Sequence, residues 1–131
     1  MDTIFTATTQ GIKISVKSQF HEKLSRPSLG KFVYKYNVHI ENLSGLVVQL
    51  LSRHWFIQDA KLKVLEVKGD GVIGLQPILE PGESHNYDSW CPISTPIGKM
   101  WGTFNMVRSV DGSEFSVEIP EFRLIADFKL N

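Results

Sequence analysis

Apolar and polar residues alternate with a period of two through much of the chain. Ile12, Ile14 and Val16 are separated by Lys13, Ser15 and Lys17, and Phe32, Tyr34, Tyr36, Val38 and Ile40 are separated by Val33, Lys35, Asn37, His39 and Glu41. Successive strand side chains point to opposite faces, so this spacing predicts two half-buried strands. Between them, residues 21–30 carry Pro27, Ser28 and Gly30 and read as a polar loop. Residues 42–45 turn the chain into a long run, 46–58, with apolar residues in both phases. That run is either a central strand covered on both sides or a strand that bulges partway, and its inward phase is left open. Over residues 61–68, Leu62 and Val64 hold one phase and Leu65 and Val67 the other, which predicts a strand with a bulge. Pro81-Gly82-Glu83 marks a turn before a strand over residues 85–90. Met100, Gly102, Phe104 and Met106 then share one phase, and Asp111-Gly112 predicts a tight hairpin into Phe115, Val117 and Ile119. Pro120 is expected to break that run. Phe122, Leu124, Ala126 and Phe128 form a last strand, with Arg123, Asp127 and Lys129 on its other face. About eight short strands without a helical segment predict an all-β fold, a two-sheet antiparallel β-sandwich.

Composition agrees. The 131 residues include 11 Val, 11 Ile and 8 Phe against 3 Ala, a bias toward pleated sheet. The length suits a single domain over residues 1–131, with 1–10 as a flexible or edge segment. Fourteen Lys plus Arg balance fourteen Asp plus Glu, which removes the electrostatic drive toward nucleic acid or an anionic membrane surface. The lone cysteine, Cys91, allows neither an internal disulfide nor a multi-thiolate zinc site and fits a reducing cytosol. No stretch approaches the roughly 20 apolar residues of a bilayer span, and residues 1–10 lack the basic start of a secretory signal. A cytoplasmic chain without membrane insertion is expected. Asn42-Leu43-Ser44 is a formal glycosylation sequon without that secretory context.

Four patterns carry candidate chemistry. Gly69-Asp70-Gly71-Val72-Ile73-Gly74 has the spacing of a dinucleotide fingerprint, but Pro77 and Pro81 stop the helix that would hold a pyrophosphate. The motif therefore reads as a loop needing positive φ or close backbone approach, or as a nest of amides for an anion such as phosphate. Residues 52–59 bring together Ser52, Arg53, His54, Trp55, Phe56 and Asp59. Ser52 and His54 share one face and Arg53 and Trp55 the other, with no third group to orient a base, so the expected arrangement is Trp55 and Ile57 in the core, His54 at its edge and Asp59 in a turn. His21, His39, His54 and His85 lack zinc-site spacing, and Asp70, Glu80, Glu83 and Asp88 lack calcium-loop spacing, so no metal or cofactor site is expected. Trp101 is out of phase with Met100, Gly102, Phe104 and Met106. With those four inward, Trp101 and Val107 lie on the outer sheet face, a candidate partner surface.

The blocks at residues 48–55 (Val-Gln-Leu-Leu-Ser-Arg-His-Trp), 69–77 (Gly-Asp-Gly-Val-Ile-Gly-Leu-Gln-Pro), 79–83 (Leu-Glu-Pro-Gly-Glu) and 94–102 (Ser-Thr-Pro-Ile-Gly-Lys-Met-Trp-Gly) closely resemble the ApaG family in residues, order and separation. The resemblance covers almost the whole chain. It implies a fibronectin type III-like or immunoglobulin-like sandwich. It also implies kinship with a domain found in some eukaryotic F-box proteins and a polymerase-associated protein, where it looks like an interaction module. For bacterial members it implies an association with low-level cobalt resistance and magnesium efflux, and a gene neighbourhood shared with diadenosine tetraphosphate hydrolase. A domain without a membrane span does not itself carry an ion across a bilayer, so such effects are expected to run through a partner.

The sequence therefore leads to a non-enzymatic interaction module with a protein partner, no catalytic residue and no cofactor. The alternative is a binder of phosphate, polyphosphate (a nucleotide) or a divalent metal at a loop of Gly69, Asp70, Gly71 and Gly74 with Arg53, His54 and His85. Open sandwich edges also permit a homodimer.

Overall fold

The computed structural model describes residues 3–126, which form nine strands: β1 (Phe5–Thr9), β2 (Ile12–Phe20), β3 (Phe32–Asn42), β4 (Val48–Asp59), β5 (Val64–Asp70), β6 (Ile78–Leu79), β7 (Ser84–Ile93), β8 (Ile97–Arg108) and β9 (Glu114–Ile125). They build two antiparallel sheets, one in the order β1-β2-β3-β7 and the other β5-β4-β8-β9, with the short β6 continuing along the edge of β4 beyond β5. The fold is the two-sheet β-sandwich that the alternation predicts. The polar loop after β2 holds two single-turn 3-10 segments, Glu22–Leu24 and Pro27–Leu29. Within it the buried Ser25 hydroxyl donates to the His21 carbonyl and accepts from the Val33 amide.

The inward phases of β2 and β3 supply Ile12, Ile14, Val16, Tyr34, Tyr36, Val38 and Ile40, all buried. Against them lie Trp55, Phe104, Val117, Ile119, Phe122 and Leu124 of the other sheet. Trp55 meets the Tyr36, Phe104 and Phe122 rings edge-on at centroid separations of 5.5, 6.3 and 5.9 Å, a geometry in which the positive ring edge meets the negative face. Burial of each such ring removes its apolar surface from water, at about 25 cal/mol per Å². An amide side chain is fully enclosed as well. Asn42 donates to the Leu46 and Leu79 carbonyls and accepts from the Ser44 amide and hydroxyl, so it joins the end of β3 to β6 with its amide satisfied.

Two bulges set which residues face inward. In β4, Leu50 opposes Met106 and Ser52 opposes Asn105, so Leu51 is an extra residue that moves the buried phase from Val48 and Leu50 to Trp55. The two-phase run at 46–58 is thus a bulged strand. In β9, Ile119 opposes Gly102 and Phe122 opposes Met100, so an extra residue enters at Pro120-Glu121 and the buried phase passes from Phe115, Val117 and Ile119 to Phe122 and Leu124. Pro120 does not end the strand as expected. It sits in the bulge, where a missing N–H disturbs the ladder least.

Two further expectations are corrected. Residues 61–63 form a turn, with Leu62 at φ 63° and the Asp59 carboxylate accepting from the amides of Lys61 and Lys63, and β5 then pairs with β4 from Gln58–Val64 to Ser52–Asp70 without a shift. There is no bulge in β5. Its apolar residues occupy both phases because both of its faces are open: Val64, Leu65 and Val67 are 46%, 56% and 40% exposed. The β8–β9 connection is longer than a two-residue turn. Of Asp111 and Gly112, only Gly112 is left-handed, and Asp111 instead accepts from the Ser113 amide. Phe128, Asp127 and Lys129 lie outside the described residues. Among the described residues, no helix is long and apolar enough to cross a membrane.

Candidate functional site

The glycine motif spans the end of β5 and a hairpin. Val72 and Leu75 exchange both backbone hydrogen bonds, 2.8 and 3.0 Å, across Ile73 and Gly74, which have φ of 48° and 73°. Positive φ at both central residues is the type I′ turn that matches the twist of paired strands. The Gly71 amide is bonded to the Leu51 carbonyl, so the amides of Gly71, Val72 and Leu75 are all committed within the chain. Arg53, projecting from β4 on the side of Trp55, lays its guanidinium across Gly69, where a Cβ would stand 2.8 Å from its terminal nitrogens. Its Nη1 donates to the carbonyls of Asp70 and Gly71 at 2.9 and 3.0 Å. The cation thus meets loop carbonyls, and the missing side chain at Gly69 leaves the room in which it lies.

Of the residues that sequence spacing grouped around this loop, Arg53 and His85 both turn to the side between the sheets, His85 lining a cleft with Leu75 and Gln76, whereas His54 does not. His54 points to the opposite face of the sheet from Arg53, where its Nε2 lies 2.7 Å from Glu66 and its ring lies 4.5 Å from that of Phe56. Glu66 also receives Lys68 at 3.3 Å, and the hydrogen bonds from His54 and then Lys68 hold its carboxyl below the usual carboxylate range. His85 belongs to the other sheet, on β7 opposite Ile40, and its Nε2 is buried with no hydrogen-bond partner among the described residues, as is the Tyr87 hydroxyl two residues on. Ser52 and His54 share a face, and Glu66 of the neighbouring strand orients the imidazole there, a third group that the sequence spacing did not indicate; among the described residues no hydrogen bond joins Ser52 to His54.

The outer face of the β5-β4-β8-β9 sheet is where aromatic side chains collect. Trp101 and Val107 both stand on it, half-buried. Phe56 of β4 is paired with Trp101 of β8, and the two rings stack at 5.6 Å with planes 11° apart. The Lys99 ammonium lies 5.4 Å from the Trp101 ring centre, and Lys99 also pairs with Glu121 at 3.2 Å. A row runs His54, Phe56, Trp101, Lys99 across two adjacent strands. The inward neighbour Gly102 is explained by backbone proximity, since a Cβ there would lie 2.1 Å from the His54 carbonyl oxygen. Phe56 is the member that sequence reasoning missed. Its outward direction depends on the extra residue at Leu51, and the shared phase of His54, Phe56 and Gln58 opposite buried Trp55 was the available signal.

The carboxylates Asp70, Glu80, Glu83 and Asp88 are dispersed. Glu83 accepts from the Glu80 amide, and Asp88 accepts from Asn37 and pairs with Lys35. Among the described residues, no three His, Cys, Asp or Glu side chains gather as a metal-ligand group. Burial raises the thiol of Cys91 to about 12.

Comparison with known proteins places this geometry. The family model of the ApaG domain matches residues 22–108. Protein ApaG of Anaeromyxobacter dehalogenans is 46% identical over 126 residues, covering 96% of this chain and 98% of that protein. Protein ApaG of Brucella abortus is 44% identical over 121 residues, covering 92% of each. The crystal structure of a Bordetella pertussis protein assigned as ApaA superposes with a TM-score of 0.85 at 43% identity, covering 87% of this chain and 92% of the other. With a matching domain model, near-full-length relatives and the same sandwich, the chain belongs to the ApaG domain family.

Proposed function

We propose that this chain is a non-enzymatic interaction module of the cytoplasm that docks a partner protein on the outer face of the β5-β4-β8-β9 sheet, around stacked Phe56 and Trp101. One observation carries the reading: two large aromatic rings lie flat against each other on a solvent-facing sheet surface. The corresponding face of the other sheet is polar along β2 and β3, with Lys13, Ser15, Lys17, Lys35, Asn37 and His39 outward, and its Trp90 on β7 packs against His21 and Lys35 with no second large ring stacked on it among the described residues. Aromatic side chains at the centre of a polar face are the usual anchors of protein interfaces, because they bury much area for little rotamer entropy. Lys99 and the Glu66–Lys68 pair supply a polar rim. The cobalt and magnesium phenotypes associated with the family then follow from what the partner does.

The test compares the chain with a Phe56→Ala/Trp101→Ala variant as baits in native lysate, with thermal melting of each alongside. A binder retained by the first and lost by the second, at closely similar melting temperature, supports the reading. An identical set of binders on both baits overturns it.

A further inference from the structure

Among the described residues, β5 has one strand neighbour, β4, and its other edge is open. The bonds from the Gly71 amide to the Leu51 carbonyl and from the Asp59 amide to the Lys63 carbonyl fix the alternation of that ladder. Odd-numbered residues of β5 turn their backbone groups to β4, and Val64, Glu66, Lys68 and Asp70 turn theirs outward. β5 guards this edge only with the charged side chains of Glu66, Lys68 and Asp70, which alternate with its inward residues. It contains no proline, and its inward side chains, Leu65, Val67 and Gly69, carry no charge. Natural sheets normally protect open edges with such features. Across the gap, the outward set of β7 includes Pro92, which has no N–H to offer.

We propose that the strand completing this edge is β5 of a second copy, paired antiparallel about a two-fold axis through Val67. Charge selects the register. An axis at Glu66 sets Glu66 against itself, and an axis at Lys68 sets Lys68 against itself and Glu66 against Asp70; like charges directly opposite are destabilising. Axes further out overlap less than half the strand. With the axis at Val67 all of β5 is used, Glu66 faces Lys68 of the second copy, Lys68 faces Glu66 of the second copy, and each of these pairs exchanges both backbone hydrogen bonds. Within each chain Lys68 already lies 3.3 Å from Glu66. The dimer therefore closes a ring of two carboxylates and two ammoniums of alternating sign. On the inner side Val67 meets Val67 and Leu65 meets Gly69, which covers apolar surface exposed in the single chain. This is an isologous contact that joins two five-stranded sheets into one. A seven-residue edge makes a small interface, so the association is reversible and concentration-dependent.

Sedimentation at increasing concentration tests it. The chain should dimerise, and Glu66→Lys and Lys68→Glu should each weaken self-association roughly tenfold, since each sets two like-charge pairs across the axis. Their equimolar mixture should associate again, because every facing pair is then of opposite sign. Val67→Cys should cross-link under mild oxidation, since a non-hydrogen-bonded antiparallel pair brings the Cα atoms within about 4.5 Å, and Val64→Cys should not. All four residues are exposed, and circular dichroism verifies that each variant folds. A monomer at every concentration up to about 1 mM, or association unchanged by both charge reversals, overturns the proposal. Glu66 and Lys68 also rim the Trp101 face, so independence from the test of partner binding rests on the Val67→Cys cross-link, which turns to the inner face, and on the Phe56→Ala/Trp101→Ala bait, which leaves β5 unchanged.

Discussion

Along one side of the sandwich β1 and β2 pack against β9, and polar bonds tie the sheets together: the Ser18 hydroxyl donates to the Arg123 carbonyl at 2.6 Å, and the Glu118 amide donates to the Thr9 hydroxyl at 3.1 Å. Along the other side β5 and β7 run opposite each other, and Leu65 and Val67 face into the gap while remaining 56% and 40% exposed. Two sheets of one core can thus be sealed on one side and left open on the other. The sealed side carries stability. The open side carries backbone and apolar surface that another chain can use, and it is held at one end by the bonds of Asn42 and at the other by the bond from the Ala60 amide to the buried Thr95 hydroxyl.

The widest separation between the two sides should come from truncating side chains. Phe122→Ala on β9 removes a ring packed against Trp55 and Tyr36 and should lower unfolding free energy by about 3–5 kcal/mol, whereas Leu65→Ala on β5 should change it by less than about 0.5 kcal/mol. Denaturant melts of the two variants make the comparison, and similar losses would erase it. Asn42→Ala comes next. It leaves the Leu46 and Leu79 carbonyls without their donor and should cost about 2–3 kcal/mol, with faster amide exchange in β6 than in β2. Cys91 then marks how far the opening reaches. Its burial and raised thiol pKa predict that a disulfide reagent at pH 8 labels it only as fast as the chain unfolds; rapid labelling would show that the gap extends to the inner face of β7. The smallest effect belongs to Glu66. Its carboxyl is held low by His54 and Lys68, so the folded pKa lies below the unfolded one. The pair's contribution is present above the ordinary carboxylate range near 4.5 and is lost as pH falls through the lower folded value. An NMR titration of Glu66 in the chain and in His54→Ala should show the folded pKa moving back toward ordinary.

Much of the sheet architecture was legible in the residues, and the exceptions have physical causes. In β2 and β3 one face is core and the other solvent, so alternation reports burial directly. In β5 both faces are open, and the same reading mistakes absence of a buried face for a bulge. The real bulges, at Leu51 and Pro120-Glu121, shift the buried phase by one residue, and local composition does not mark where the extra residue enters. At the candidate site, the outward position of Trp101 follows from the phase of β8, which has no such shift. Phe56 lies beyond the bulge in β4, so its stacking on Trp101 is a product of pairing between strands. The glycine motif was legible as a loop from its prolines. The posture of Arg53 over Gly69 was not, because it depends on the register of β4 with β5.

The bond from Ser18 to Arg123 joins residues 105 apart in the chain. Loop-closure entropy for such a contact must be met before its packing is gained, which places the domain among the slow, millisecond-to-second folders of high contact order. Until β9 docks, β1 and β2 present an apolar surface with no lid. The kinetic hazard of this chain therefore lies in the side that is most secure once folding is complete: substitutions in β9 that delay its arrival will lengthen the life of a sticky intermediate, and yields will fall with concentration even where the final stability is restored.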